Sequence, residues 1–205
     1  MQIRNLDSIT LYSGENDTNT FFGAEAVFED VSVSLKAVGG SIRLCLTADQ
    51  TPVRYIRLRF NFTETEKRTD SIKILGDTYE RSYGDLQWTG IVPERKMPWY
   101  MLVSNGSDRN PDYTDRFTEG FGVKVQPNAF VTWQYDGAGV TMWADVRCGG
   151  MGVILGGRTL DVCDIVFDEC RIRRTESGMG CELHSGKRLP PARLDGNDLS
   201  RVLVD

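Results

Sequence analysis

Between Leu75 and Trp88 the chain reads LGDTYERSYGDLQW, so fourteen residues hold three carboxylates (Asp77, Glu80, Asp85), one guanidinium (Arg81) and three aromatic rings (Tyr79, Tyr83, Trp88). This mixture suits sugar recognition. Carboxylates and arginine hydrogen-bond hydroxyl groups, while an aromatic ring covers the apolar face of a pyranose. The same residues also admit a structural account. In it Glu80 and Arg81 form a solvated pair, Tyr79 and Tyr83 pack at a sheet margin, and Gly76 and Gly84 serve turns. Composition alone leaves both open.

Two further clusters carry reactive or stacking groups. Met97-Pro98-Trp99-Tyr100-Met101 places two large aromatics side by side, either as core residues at a strand start or as a stacking platform. In Asp145-Val146-Arg147-Cys148-Gly149-Gly150, Arg147 is placed to pair with Asp145 across one intervening residue, or with Asp161 elsewhere, as a structural ion pair.

Catalytic signatures are hard to find. A glycosidase needs two carboxyl groups about 5 Å apart for retention or about 6.5–9.5 Å for inversion. Asp77 with Glu80, or Glu80 with Asp85, could meet either distance by folding, yet no Glu-x-Asp-x-x-Glu strand supports them. GxSxG, GxxxxGK[ST], GxGxxG and HExxH are all missing. A Ser-His or Cys-His mechanism would rest wholly on His184, the single histidine. A zinc site would have to gather scattered cysteines and carboxylates, so no metal and no cofactor is expected.

The elements that must position these groups are strands. Ile56, Leu58, Phe60 and Phe62 alternate with Arg57, Arg59 and Asn61, giving one apolar and one wet face. Residues 41–46 repeat the pattern, with Thr47–Pro52 read as the connection between these neighbours; 31–36 adds another strand. Further strands are read at 122–125, 130–135, 140–146 and 151–155. Asp136-Gly137-Ala138-Gly139 is a hairpin signal that pairs 130–135 with 140–146. Short strands separated by turn signals predict an all-β chain, a large antiparallel β-sandwich of the supersandwich type. The sandwich is expected over residues 1–162. Residues 163–205 are expected as a loop-rich C-terminal extension of the same domain or a truncated end, with a short helix over Leu199–Val204 capped by Asp198.

A net charge of −5 with intermixed signs provides no basic face for a phosphate backbone, so no nucleic acid partner is expected. No run approaches the roughly 18 apolar residues of a membrane span, and no apolar signal core follows Met1, so neither membrane nor secretion is expected and the chain reads as cytoplasmic. Five irregularly spaced cysteines, without a CxxC pair, suit buried reduced thiols better than a disulfide framework.

Gly76–Trp88 resembles the G-D-x-[aromatic]-E-R-x-Y-G-D-L-x-W signature in the N-terminal domain of bacterial glycoside hydrolase family 36, the α-galactosidase or melibiase group. Three later segments agree in order. Met97–Tyr100 resembles that domain's M-P-W-Y/F element, Gly120–Gln134 its G-x-G-V-K-x-x-P-N-A-F-x-x-W-Q element, and Val140–Gly150 its [VI]-[TS]-[LM]-W-x-D-V-R-x-G-G element. The resemblance implies a large β-sandwich that precedes a catalytic (β/α)8 barrel and helps frame the galactose pocket and the oligomer. The barrel supplies both catalytic aspartates, so none carries over, and beyond Cys163 the likeness to the family's lead into the barrel stops. Within the matched motif, Asp77, Arg81, Asp85 and Trp88 are the expected sugar-pocket residues.

The expectation is therefore an accessory or truncated N-terminal domain, not catalytic alone. Its expected partners are a galactoside or related oligosaccharide and a catalytic barrel domain or further copies of itself. A free-standing carbohydrate-binding module using Trp88 or Trp99, and a purely structural interaction domain, are the alternatives.

Overall fold

The structure, a computed structural model, describes residues 6–13, 17–62, 72–79, 87–104, 116–147, 150–175 and 178–183. These form β1 (Leu6–Ser13), β2 (Asp17–Phe22), β3 (Glu25–Phe28), β4 (Val31–Val38), β5 (Ser41–Thr47), β6 (Val53–Asn61) and β7 (Lys73–Gly76). There follow β8 (Met97–Pro98), β9 (Tyr100–Ser104), β10 (Arg116–Val123), β11 (Phe130–Tyr135), β12 (Gly139–Asp145), β13 (Thr159–Thr175) and β14 (Gly178–Leu183). All pairings are antiparallel. The first sheet runs β2-β1-β6-β12-β11-β8. The second runs β3-β4-β5-β13-β10-β9-β7, with β14 on β13. The expected all-β sandwich is what the chain forms.

Alternation decides what lies between the sheets. Ile9, Leu11, Ile56, Leu58, Val131, Trp133, Met142 and Ala144 point inward from the first sheet and are sealed against Ile42, Leu44, Leu46, Met101, Val103, Val162 and Ile165 of the second. Each Leu or Ile removed from water contributes about 1.5–3 kcal/mol against the entropy of ordering the chain. Trp133 is fully buried and its ring meets Phe121 and Phe167.

The outer faces differ. On the second sheet, Arg43 bridges Asp161 and Asp164 at 2.8 Å each, Lys124 adds to Asp164, and the hydroxyls of Thr47 and Thr159 meet at 2.9 Å. On the first sheet, Thr20, Thr10, Arg57, Trp143, Thr132 and Pro98 stand in register across all six strands. Beside them runs a row of Tyr12, Tyr55, Asp145 and Phe130.

Several expectations change. Thr47–Pro52 does not join paired strands. It carries the chain from one sheet to the other, held by Asp30, whose carboxylate accepts from the backbone N–H groups of Asp49, Gln50 and Thr51 and from the Thr51 hydroxyl. Residues 151–155 are not a strand. Val153 makes a single bridge to Val53, and Met151 and Ile154 stay exposed, because the end of β6 offers pairing at that one position. Val125 lies outside β10, 92 % exposed, because the strand ends where its pairing with β13 does. The segment expected to be loop-rich from 163 is a strand as far as Thr175, and β14 follows. Cys163, Ile165 and Phe167 carry an inward apolar alternation, and the ladders to β10 and β14 extend the pairing beyond it. Residues 184–205, and with them the helix expected over 199–204, lie outside the described residues.

Among the described residues no helix is long and apolar enough to cross a membrane. Cys45 and Cys163 are buried free thiols, as expected of reduced cysteines. Burial pushes Cys163 up to about 12, with the Asp164 charge adding, so it is no nucleophile near neutral pH.

Candidate functional site

The motif loop is anchored at its base. Ile74 and Thr89 exchange both backbone hydrogen bonds, at 2.8 and 2.9 Å, so the loop leaves and returns at one point on β7. Gly76 is required there by close approach: a side-chain carbon would sit 2.8 Å from Cβ of Met97, with the Met97 sulfur nearer still. Asp77 is only 4 % exposed and its Oδ1 accepts from the N–H of Thr78, so it caps the turn at the loop's start as well as engaging other groups. Trp88 is 46 % exposed. Arg81 and Asp85 lie outside the described residues, as does Glu80 of the suggested carboxylate pairs.

Tyr79 folds over the rim of the first sheet. The residue is 63 % exposed, and its hydroxyl hydrogen-bonds Thr132 of β11. Burial raises the hydroxyl above its ordinary value, while a hydrogen bond with Thr132 opposes the rise and the charge of Asp145 adds to it. Its ring lies 5.7 Å from Phe130, and Phe130 receives the edge of Trp99 at 4.8 Å. Trp99 is 38 % exposed and Phe130 37 %, so three rings from three segments form one open aromatic cluster.

Trp99 is held there at a cost. Its φ of 66° is left-handed, a conformation worth about 1–3 kcal/mol of strain for a residue with a side chain. The surroundings hold it: its N–H donates to the carbonyl of Val131 at 2.9 Å, and its carbonyl accepts from Nε1 of the buried Trp133 at 3.2 Å. At this residue the chain passes from β8 in the first sheet to β9 in the second. Of the two places the sequence leaves open for Trp99, core or exposed platform, the structure gives the exposed one. The inward direction is taken by Met97 and Met101, and the turn of backbone puts the indole outside.

Beside Phe130 the outer row continues with Asp145. As expected, Arg147 pairs with Asp145: Oδ1 accepts from N–H and Nε at 3.0 Å each, and Oδ2 accepts from Nη2 at 2.7 Å. Asp161 goes to Arg43 instead. Burial alone would raise the Asp145 carboxyl, but the Arg147 hydrogen bonds outweigh it and keep the group ionised well into acid. The Arg147 guanidinium in turn lies 4.4 Å over the ring of Tyr55. An open depression of about 510 Å³ adjoins this corner, lined among others by Asn128, Phe130, Asp145, Val146 and Leu160.

Trp143 is not available as a platform. Lys96 Nζ sits 4.4 Å and the Arg57 guanidinium 5.6 Å from its ring centre, Tyr12 tilts against it at 5.6 Å, and its Nε1 donates to Oε1 of Gln134 at 2.6 Å.

Sequence reasoning passed over Phe130 and Asn128. The signal was present, because Val131, Trp133 and Tyr135 are the inward set of β11 and leave Phe130 as an apolar residue on the wet face. The described residues contain no group of His, Cys, Asp or Glu able to hold a metal ion. Comparison with protein-family models, curated proteins and solved structures finds no match to this chain.

Proposed function

We propose that this chain is an accessory β-sandwich domain of an α-galactosidase-type glycoside hydrolase, contributing to a galactoside site or a subunit contact and not catalytic by itself. One observation carries the reading. The four segments that resemble the family in sequence are distant along the chain, yet Tyr79, Trp99, Phe130 and Asp145, one from each, converge on a single corner of the first sheet. Exposed rings beside an ionised carboxylate–guanidinium pair suit a sugar, with its apolar face and its hydroxyl rim. A mere packing surface would not need Trp99 turned outward against backbone strain.

The test is to offer the purified chain an aryl α-galactoside and, separately, to titrate it with galactosides while following tryptophan fluorescence. No hydrolysis and a saturable spectral change are expected. Robust turnover lost in Asp77→Ala would overturn the accessory reading. A free-standing carbohydrate-binding module is favoured instead by the exposure of Trp88. It predicts glycan-array binding that disappears in Trp88→Ala.

A further inference from the structure

We propose that the depression where β11 begins and β12 ends binds an organic ammonium ion with an apolar body, its charged head held between the Asp145 carboxylate and the Phe130 ring. The inference goes beyond the galactoside reading: the ligand is a cation rather than a neutral sugar, and no residue of the motif loop takes part.

The wall selects for charge of one sign. Its residues include one ionisable group, Asp145, and no cation. Several backbone donors there are already engaged: the N–H of Asn128 meets the Val162 carbonyl at 2.8 Å, that of Val146 meets Arg54, and that of Val153 meets Val53. Pro127 has no N–H to offer. Asn128 commits Nδ2 to the Asp161 carbonyl at 2.8 Å, which leaves its Oδ1 to accept. Arg147 fills two positions on Oδ1 of Asp145 and one on Oδ2, and a carboxylate has about four, so Oδ2 accepts once more. Arg147 itself lies over Tyr55 and takes no part in the wall, so the carboxylate is what the depression meets.

The ring stands beside that carboxylate. Phe130 and Asp145 are direct cross-strand partners, which puts their side chains next to each other on one face. An ammonium ion uses such a pair in both ways: its N–H groups donate to the carboxylate, and its charge rests on the negative face of the ring within about 6 Å of the centre. Each half of this arrangement is already built elsewhere in the molecule. Arg147 lies 4.4 Å over Tyr55 and Lys96 4.4 Å over Trp143, whereas among the described residues no cation lies over Phe130. Asp164 accepts from Arg43 through both oxygens, at 2.8 and 3.2 Å, with Lys124 Nζ 3.7 Å away, so a carboxylate engaged by a guanidinium takes a second cation in this fold. Phe130 is held by Trp99 edge-on at 4.8 Å and by Tyr79 at 5.7 Å, so its ring is oriented before a ligand arrives. About 510 Å³ of open space against Val146, Val153 and Leu160 has room for a phenyl or short alkyl body.

The experiment compares benzylamine with benzyl alcohol, which keeps the body and removes the charge, by backbone amide chemical-shift titration of the intact chain. Benzylamine is expected to saturate with a Kd on the order of millimolar and to bind about tenfold or more tighter than the alcohol. Shifts should concentrate at Asn128, Phe130, Asp145 and Val146. Phe130→Ala and Asp145→Asn should each weaken the amine about fivefold or more, and Trp88→Ala should leave it within about twofold. Far-UV dichroism and the thermal midpoint establish that the variants are folded. Asn128→Ala leaves the Asp145–Arg147 contact in place and should weaken the amine about twofold to threefold, so the test does not hang on Asp145→Asn alone. Equal binding of amine and alcohol, or binding of neither, overturns the proposal. So does amine binding that survives Phe130→Ala and Asp145→Asn. Each of these outcomes leaves the galactoside reading to be judged by its own titration and turnover assay.

Discussion

The two outer faces of this sandwich are built from the same alternation and have come to opposite ends. On the second sheet the outward positions are Arg43, Asp161, Asp164, Thr47 and Thr159, which satisfy one another in place. On the first sheet the outward positions include Tyr12, Tyr55, Trp143 and Phe130, and guanidinium groups there lie over rings as well as beside carboxylates. Even within that face there is a gradient. Trp143 is met by Lys96, Arg57 and Tyr12, while Phe130 and Trp99 remain open at the corner. A polar lattice closes a surface, whereas rings at a sheet margin leave it open. The period-two pattern specifies neither outcome.

The comparison breaks first at its support. Trp133→Ala removes a fully buried indole and with it the donor that holds the Trp99 carbonyl, so a loss of about 3–5 kcal/mol is expected in urea unfolding. Iodide quenching should then report a changed exposure of the remaining tryptophans. Unchanged stability would show that the aromatic corner does not depend on the core beneath it. Gly76→Ala should cost about 1–3 kcal/mol through overpacking against Met97, and should loosen the motif loop together with β7, the edge strand of the second sheet from which it leaves. Proteolysis confined to the loop is the readout.

Acid should act on both faces with one sign. Arg43 hydrogen bonds lower Asp164, and the Thr51 hydroxyl followed by backbone donors lowers Asp30, while at Asp145 the Arg147 bonds prevail over burial. Each folded value lies below the unfolded value of about 3.9. The stability they contribute is therefore complete above that value and is lost as pH falls through the folded ones. Thermal midpoints should be flat from neutral pH down to about pH 5 and fall steeply below about 4. A midpoint that rose on acidification would sink this account. The smallest effect is expected for Arg43→Met, a minor loss at low salt that shrinks further in high salt, since its partners are solvated. Phe130→Ala should likewise cost little stability, because the ring is partly exposed, and should change tryptophan fluorescence through loss of its edge contact with Trp99. That contrast, a spectral change on one face and only salt-sensitivity lost on the other, sharpens the distinction between them.

Much of the architecture was legible from residues. The alternation at Ile56, Leu58 and Phe60 identified β6 and its inward face, and Asp136–Gly139 identified the β11–β12 hairpin, where Asp136 Oδ1 takes the N–H groups of Ala138 and Gly139. What alternation does not encode is which sheet a strand joins. Thr47–Pro52 reads like a hairpin connection but spans the sandwich, because the Asp30 clamp that redirects it lies about twenty residues earlier in the chain. Residues 169–183 defeated the pattern for a different reason: the sequence there is charged and weakly periodic, yet the backbone pairs in ladders with β10 and between β13 and β14. At the site, the Asp145–Arg147 pair was readable because its partners are two residues apart. The exposure of Trp99 was not, since it depends on a left-handed backbone at a residue that gives no sign of it.

The placement of β13 bears on how such a chain is made. This strand completes the second sheet by lying between β5 and β10, and the Arg43–Asp164 contact closes a separation of 121 residues. During synthesis β3, β4 and β5 emerge early, yet the free edge of β5 waits for a partner encoded more than a hundred residues later. A topology so dominated by distant pairings belongs with slow-folding β proteins, on the order of milliseconds to seconds. Until β13 arrives, Leu44 and Leu46 have one strand neighbour instead of two, and an exposed apolar strand edge is an invitation to misassociation between nascent chains. Yield on overexpression should therefore be governed by temperature and chaperone supply more than by the final stability of the fold.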